Sequence, residues 1–319
     1  MHKFKKDFAT LSYILNRANK ILLVAHSSPD GDTSGSVLAF KSYLDSLGKT
    51  VDIACVDPFP KFLEKITDIR FQFPSHLNLA SYDAAIGCDS VERGFDKMMP
   101  SFGKDTVSVI LDHHPDITIL ADLKIIDAKY SSTCELLYDY FEYNGIWISQ
   151  HMATFLLIGI MSDTGNFQHS NTTTRVIQIA SHLLSRGASF SKIVKTAIED
   201  KKLSTLKLWG RAFEKAKINS KNGMIMTVLT KDDIEQCNAS TEDISNVSSI
   251  LNTVPGTRFA LVLSERENGI IKGSLRSEAY KGVDVSEIAH QFGGGGHKLA
   301  SGFEVQGTIV ETKDGWEIV

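Results

Sequence analysis

The sequence predicts an α/β protein of two domains, a larger one on a parallel sheet followed by a smaller α/β one. Three observations carry this. Over the first 190 residues, short apolar, β-branched runs alternate with helix-periodic stretches, the pattern of strand–helix–strand units and a parallel sheet. From Gly223 the character changes to strand-rich runs with hairpin spacing. At 319 residues the chain is long for one domain and comfortable for two. The expected boundaries are 1–190, a helical connection over 191–220, and 221–319.

Taken in order, strands are expected at 21–26, 51–56, 84–89, 107–112 and 123–127. Between the first two, Thr33 to Leu47 places Val37, Leu38, Phe40, Leu44 and Leu47 on one helical face, stopped by Gly48. Residues 132–143 and 150–161 also read as helices. Asn171 followed by three threonines, with the periodic Val176, Ile177, Ile179, Leu183 and Leu184, suggests a capped helix ending at Gly187. The stretch 191–217 is helical and Lys-rich. Beyond it, 224–229 and 259–263 read as strands, 270–276 as the return of a hairpin, and 284–292 as a short helix.

Composition narrows the function. The apolar fraction of 42% and charged fraction of 23% are those of a soluble globular protein. No apolar run reaches the roughly 18 residues a bilayer span needs. The basic start, Met1 to Asp7, leads into a mixed helical pattern rather than a signal-peptide core. Cys55, Cys88, Cys134 and Cys237 are scattered without a C-x-x-C pair, as expected of reduced thiols in a cytoplasmic protein. Net charge is −4, and residues 221–319 carry nine Lys/Arg against fourteen Asp/Glu. That excludes a protein that coats long nucleic acid. A nucleotide substrate should be short, held by metals and a few placed cations. The sequence is compatible with a homodimer and suggests no membrane partner.

Four apolar elements end in Asp or His. The run 21–25 leads into His26, Asp30 and Asp32; 84–88 into Asp89; 107–111 into Asp112, His113 and His114; 156–161 into Ser162 and Asp163. Ligands of open parallel sheets bind beyond the carboxyl ends of the strands. Pro29 and Gly31 suggest a turn that leaves Asp30 and Asp32 on either side of a flexible glycine. Carboxylates this close repel unless cations neutralise them. The helix beginning near Thr33 adds a positive N-terminus suited to an anion. The tandem histidines leave their strand in different directions, so one can ligate while the other faces substrate. Oxygen and imidazole donors without thiolate favour Mn²⁺ or Mg²⁺ over structural zinc. A pair of such ions roughly 3.5–4 Å apart activates water and stabilises an in-line displacement at phosphorus. Hydrolysis of phosphoesters or phosphoanhydrides is the expected reaction class.

The second domain supplies four glycines, 293–296, followed by His297, with Ala300, Ser301 and Gly302 close behind. Such a run is costly to order and is expected where backbone approaches a phosphate or base. His297 and Arg276 offer hydrogen bonds or charge to a phosphate.

These motifs together resemble the DHH phosphoesterase family with its DHH-associated C-terminal domain, subfamily one, over nearly the whole chain. The compact length is similar to the nanoRNase/pAp-phosphatase group and to soluble phosphodiesterases of linear or cyclic dinucleotides. The resemblance implies a three-layer N-terminal domain, two divalent metals and an active site in the interdomain cleft. It implies His26 and Asp30 on one metal, Asp32, His113 and Asp163 on the other, and Asp89 bridging. His114 would stand by the scissile phosphate with Asp112 supporting it. Gly295, Gly296, His297, Arg276 and, as a further contact, Arg258 would hold the nucleotide. The segment 89–93 departs from the family arrangement, so Arg93 is left unassigned. The alternatives are a RecJ-like single-strand exonuclease, a cyclic-dinucleotide phosphodiesterase, a family II pyrophosphatase or exopolyphosphatase, and a relative that binds nucleotide without cleaving it. The last would have lost metal ligands, and all six positions are intact here.

Overall fold

Helix α1 (Lys5–Arg17) packs Phe8, Leu11 and Leu15 onto a sheet that begins at β1 (Lys20–Val24). The computed structural model describes residues 3–89, 94–114, 117–195, 202–312 and 315–319, and the chain divides into two units, Met1–Asp200 and Lys201–Val319.

In the first unit, α2 (Gly31–Ser46), β2 (Thr50–Ala54), β3 (Ala84–Cys88), α3 (Phe95–Met98), β4 (Val107–Asp112), β5 (Leu123–Ile126), α4 (Thr133–Tyr143), α5 (Gln150–Asp163), α6 (Thr174–Ser185) and α7 (Phe190–Val194) follow in order. The strands are all parallel in the order β2-β1-β3-β4-β5. Parallel strands are covered on both faces, which is why β1 and β3 are apolar throughout. Ile21 and Leu23 join a core with α1, α2, α4, α5 and α6; Leu22 and Val24 face the opposite side, under Phe95 and Met98 of α3. The third layer is therefore thin, with one short helix and 3-10 turns.

Two helix starts are corrected here. Helix α2 starts at Gly31 rather than Thr33, because the Asp30 carboxylate caps it, accepting from Asp32 N at 2.9 Å and Thr33 N at 3.1 Å. Gly31 is not a flexible spacer either. It is buried, and a Cβ there would lie 2.5 Å from Ser162 Cβ. The cap of α6 is Thr173, whose hydroxyl accepts from Val176 N at 3.2 Å, and Asn171 is engaged elsewhere. Arg93 lies outside the described residues, as does 196–201 within the helical connection.

The second unit contains α8 (Leu203–Glu214), β6 (Lys217–Asn219), β7 (Met224–Leu229), α9 (Lys231–Gln236), α10 (Val247–Leu251), β8 (Phe259–Glu265), β9 (Ile270–Arg276), α11 (Val285–His290), β10 (Gly295–His297), β11 (Ala300–Gln306), β12 (Ile309–Thr312) and β13 (Gly315–Ile318). Six strands form a mixed sheet, β10-β11-β9-β8-β7-β6, in which only β7 and β8 run parallel. As expected, 270–276 returns antiparallel to β8. Among the described residues no helix is long and apolar enough to cross a membrane.

Candidate active site

The strand order places its switch between β1 and β3, where the chain moves out in opposite directions and a crevice opens at the carboxyl ends. His26 follows β1 and Asp89 follows β3, and their side chains meet there, His26 Nε2 lying 3.5 Å from Asp89 Oδ2 and 3.9 Å from Asp30 Oδ1. The other ring nitrogen, Nδ1, lies 2.7 Å from Ser27 O, which directs Nε2 into the cluster.

His113 leaves the end of β4. Its Nε2 lies 3.1 Å from Asp163 Oδ2, 3.8 Å from Asp89 Oδ1 and 3.9 Å from Asp32 Oδ2. Asp163 reaches it from the last residue of α5, and Asp32 from the first turn of α2. Asp32 is buried and takes hydrogen bonds from the start of α4, Thr133 N at 2.6 Å and Cys134 N at 2.9 Å. Glycines make this possible. A Cβ at Gly159 of α5 would fall on Cys134 Sγ and 2.7 Å from Asp32 Oδ1, and one at Gly35 of α2 would fall on Phe155 O. So α2 and α5 cross at a distance only glycine allows.

The donor atoms form three groups, each within 4.8 Å: His26, Asp30 and Asp89; Asp32, His113 and Asp163; and Asp89, His113 and His114. Asp89 joins the first to the third. It is buried, its Oδ1 accepts no hydrogen bond, and its backbone is left-handed at φ 64°. A buried carboxylate oxygen lacking a donor, among imidazoles aimed at it, fits a divalent cation by donor chemistry.

Burial and charge together displace the titration of His26, His113, Asp32, Asp163 and Asp89. Burial alone would lower His26 and His113, but the carboxylates beside them, Asp30 and Asp89 for one and Asp163, Asp32 and Asp89 for the other, raise both to about 10. Burial raises Asp32 well above the usual range, with the Asp163 and Asp89 charges adding to it. Burial also lifts Asp163, to about 6, against the His113 hydrogen bond. Burial opposes the charge on Asp89 too, yet His114 and His26 hold it well below the usual range.

His114 faces both Asp112 and Asp89. Its Nδ1 lies 2.7 Å from Asp112 Oδ1 and 3.3 Å from Asp89 Oδ1, and its backbone N–H donates to Asp112 Oδ1 at 2.9 Å. Burial works against a charged ring, but the two carboxylates raise it to about 9.

In the second unit, Arg276, Ala300 and His297 share one row across β9, β11 and β10, and Arg258 immediately precedes β8 at the same end of the sheet. The four glycines there have different reasons to exist. Gly293 is at φ 73° in a turn; a Cβ at Gly294 would fall on Gly302 O; Gly296, at φ 132°, would place one 2.7 Å from Ala300 O. At Gly295 an added Cβ meets nothing closer than His290 Nε2 at 3.7 Å. Asn171, Tyr130 and Gly159 are site features the sequence reading missed. Only Gly159, a glycine inside an apolar helix, left a sequence signal.

Comparison with known proteins agrees with this architecture. Residues 20–160 match the DHH family, N-terminal domain, and residues 221–314 match the DHHA1 domain. The chain is 28% identical to the bifunctional oligoribonuclease and PAP phosphatase NrnA of Thermus thermophilus over 90% of this chain and 84% of that protein. It is 29% identical to the protein of the same name from Bacillus subtilis, over 89% of each. A crystal structure of an exopolyphosphatase-related protein from Bacteroides fragilis superposes with a TM-score of 0.88 at 27% identity, covering 97% of this chain and 94% of that one. With the DHH motif at the end of β4, the chain carries the N-terminal domain of the DHH family, followed in sequence by a DHHA1 domain.

Proposed function

We propose that this protein is a two-metal phosphodiesterase and phosphatase that hydrolyses short oligonucleotides, linear dinucleotides or 3′,5′-bisphosphorylated adenosine to mononucleotides. The observation that carries the reading is the pair of triads, His26–Asp30–Asp89 and Asp32–His113–Asp163, packed at one sheet switch point. Relatives named for oligoribonuclease and PAP phosphatase activity support the substrate class. The oxygen and imidazole donors favour Mn²⁺, with Mg²⁺ the alternative. Bound there, two divalent ions would neutralise the carboxylates and supply Lewis acidity toward a phosphoryl oxygen.

The chain's own groups do the rest. Asp89 would serve both metal positions. Asp112 keeps the His114 ring oriented and charged, so that His114 can give a proton to the departing oxygen. Arg276, His297 and Arg258 hold the outer phosphates, and the backbone at Gly295 and Gly296 lies against the nucleotide. A half-open cavity of about 390 Å³ beside Ser27, lined by Val56, Pro74, Leu79 and Met98, offers an apolar surface for a base. The second unit's acidic balance favours local contacts to two or three phosphates and a shallow salt dependence. The four cysteines, free and buried, suit a reducing cytoplasm.

The test is a panel of initial rates with Mn²⁺ on a dinucleotide, a five-mer, 3′,5′-bisphosphorylated adenosine, a cyclic dinucleotide and a long single strand. Rates should peak between the dinucleotide and the five-mer, and Asp89→Asn should lose turnover while staying folded. Processive degradation of the long strand, faster than the dinucleotide, would replace this reading with the RecJ-like one.

A further inference from the structure

Asp32, His113 and Asp163 come from three different elements, yet each is tied to one short segment, Tyr130 to Cys134. His113 Nδ1 lies 3.3 Å from the Tyr130 carbonyl oxygen. The Asp32 carboxylate accepts from Thr133 N and Cys134 N. The Asn171 amide donates to Ser131 O at 3.2 Å and to the Asp163 carbonyl at 3.1 Å, joining the segment to the end of α5. The ties of the other triad run elsewhere: His26 to Ser27 O, the Asp30 carboxylate to Asp32 N and Thr33 N, and the Asp89 N–H to Leu111 O.

Residues 130–132 lie outside helix α4, so something must hold them. Tyr130 OH donates to Asp139 Oδ2 at 2.8 Å, and Ser131 N donates to Glu135 Oε2 at 2.7 Å. Glu135 and Asp139 sit one turn apart on α4 and are each 4% exposed. Two buried like charges at this spacing repel. Arg175, in the first turn of α6, answers both: its Nη2 pairs with Asp139, and its Nε lies 3.5 Å from Glu135 Oε1. Its side chain is 51% exposed, so it covers the pair from the solvent side.

We propose that Arg175 is a positioning residue for one metal position only: by neutralising Glu135 and Asp139 it clamps the 130–134 segment, and through it the Asp32–His113–Asp163 triad. The inference rests on the two-metal reading above. Without the guanidinium, two buried carboxylates face each other uncompensated and must take up protons, admit water or move apart. Each response loosens the Tyr130 and Ser131 anchors. Losing a group that orients metal ligands typically costs roughly tenfold to a hundredfold in metal affinity.

The experiment is Mn²⁺ titration calorimetry on the full chain. Wild type should bind two ions tightly, and Arg175→Gln one tightly and one about tenfold or more weakly, with Arg175→Lys restoring part of the loss. To assign the weakened position, the substitution is repeated in His26→Ala, which leaves the Asp32 triad, and in Asp163→Ala, which leaves the other. Affinity should fall in the first background and change by less than about twofold in the second, since the clamp's ties reach only the Asp32 triad. Equal weakening of both positions, or of neither, overturns the clamp. Wild type binding fewer than two ions overturns the two-metal reading itself and takes the clamp with it. Thermal melts report whether Arg175→Gln folds. If it does not, Asn171→Ala, which removes the bonds to Ser131 O and Asp163 O that join the segment to α5, carries the same test with the same expected split.

Discussion

Replacing Gly159 with alanine tests how tightly the helix crossing controls the metal centre. In an exposed helix, glycine to alanine is stabilising by about 0.8–1 kcal/mol, since alanine has less backbone freedom to lose. At Gly159 the new Cβ falls on Cys134 Sγ and 2.7 Å from Asp32 Oδ1. To regain ordinary contact the carboxylate must retreat by about 0.7 Å, several times the roughly 0.2 Å tolerance of metal–ligand distances. Overpacking of this kind costs about 1–3 kcal/mol, so the propensity gain is outweighed and the net effect is about 0–2 kcal/mol of destabilisation. The melting temperature of a unit this size should fall by about 2–4 °C per kcal/mol. Activity should fall much further, because a misplacement near 1 Å costs on the order of a hundredfold. Gly210, in α8 with nothing within 4 Å of its Cβ position, is the control, and Gly210→Ala should stabilise. Cys134→Ala added to Gly159→Ala removes the thiol clash and should recover stability more than activity. Differential scanning fluorimetry, Mn²⁺ calorimetry and dinucleotide kinetics read these effects. Wild-type metal affinity and rate in Gly159→Ala would refute the argument that the crossing positions Asp32.

Other outcomes follow from the charges and from the glycine run. In the metal-free protein, His26 and His113 are raised from 6.5 to about 10, so the stability they contribute is full below pH 6.5 and lost as pH rises toward 10. Thermal melts in chelator should therefore fall across that window, whereas Mn²⁺ affinity should rise as the competing protons leave; a melting temperature that climbs would contradict the cluster's charge balance. Gly295→Val should weaken dinucleotide turnover without lowering the melting temperature, because a Cβ there meets only His290, at van der Waals distance. Gly296→Val should destabilise as well, having both a positive φ and a clash to pay for. His297→Ala should impair turnover with two metals still bound, and wild-type kinetics in both Gly295→Val and His297→Ala would remove that loop from substrate recognition.

The sheet and the cluster of candidate ligands at its edge were legible because one physical pattern encodes both. A buried parallel strand must be apolar, so an Asp or His at its end stands out, as at 26, 89 and 112–114. Legibility failed where function depends on atoms without sequence identity. The Tyr130 carbonyl beside His113 is main chain and could belong to any residue. Asn171 looked like a helix cap because Asn often is one; only the approach of α5 and the 130–134 segment gives its amide two carbonyls. The start of α2 was placed late because Asp30 was read only as a ligand, although its carboxylate also caps the helix. The glycine run read as one feature, and the fold separates it into three structurally required positions and one, Gly295, with no internal requirement. The short β12–β13 hairpin went unread, its strands being four residues each.

The left-handed backbone at Asp89 has a consequence for how this family position can drift. Two independent filters act on it. The conformation favours Gly, Asn and Asp, and the cluster's chemistry accepts a carboxylate. Asn and Gly pass the first filter and fail the second; Glu passes the second and fails the first. Only Asp lies in the overlap, so no neutral intermediate leads away from it. On the two-metal proposal, a homologous chain that has lost this residue should have lost the chemistry with it, whatever else of the sheet it retains.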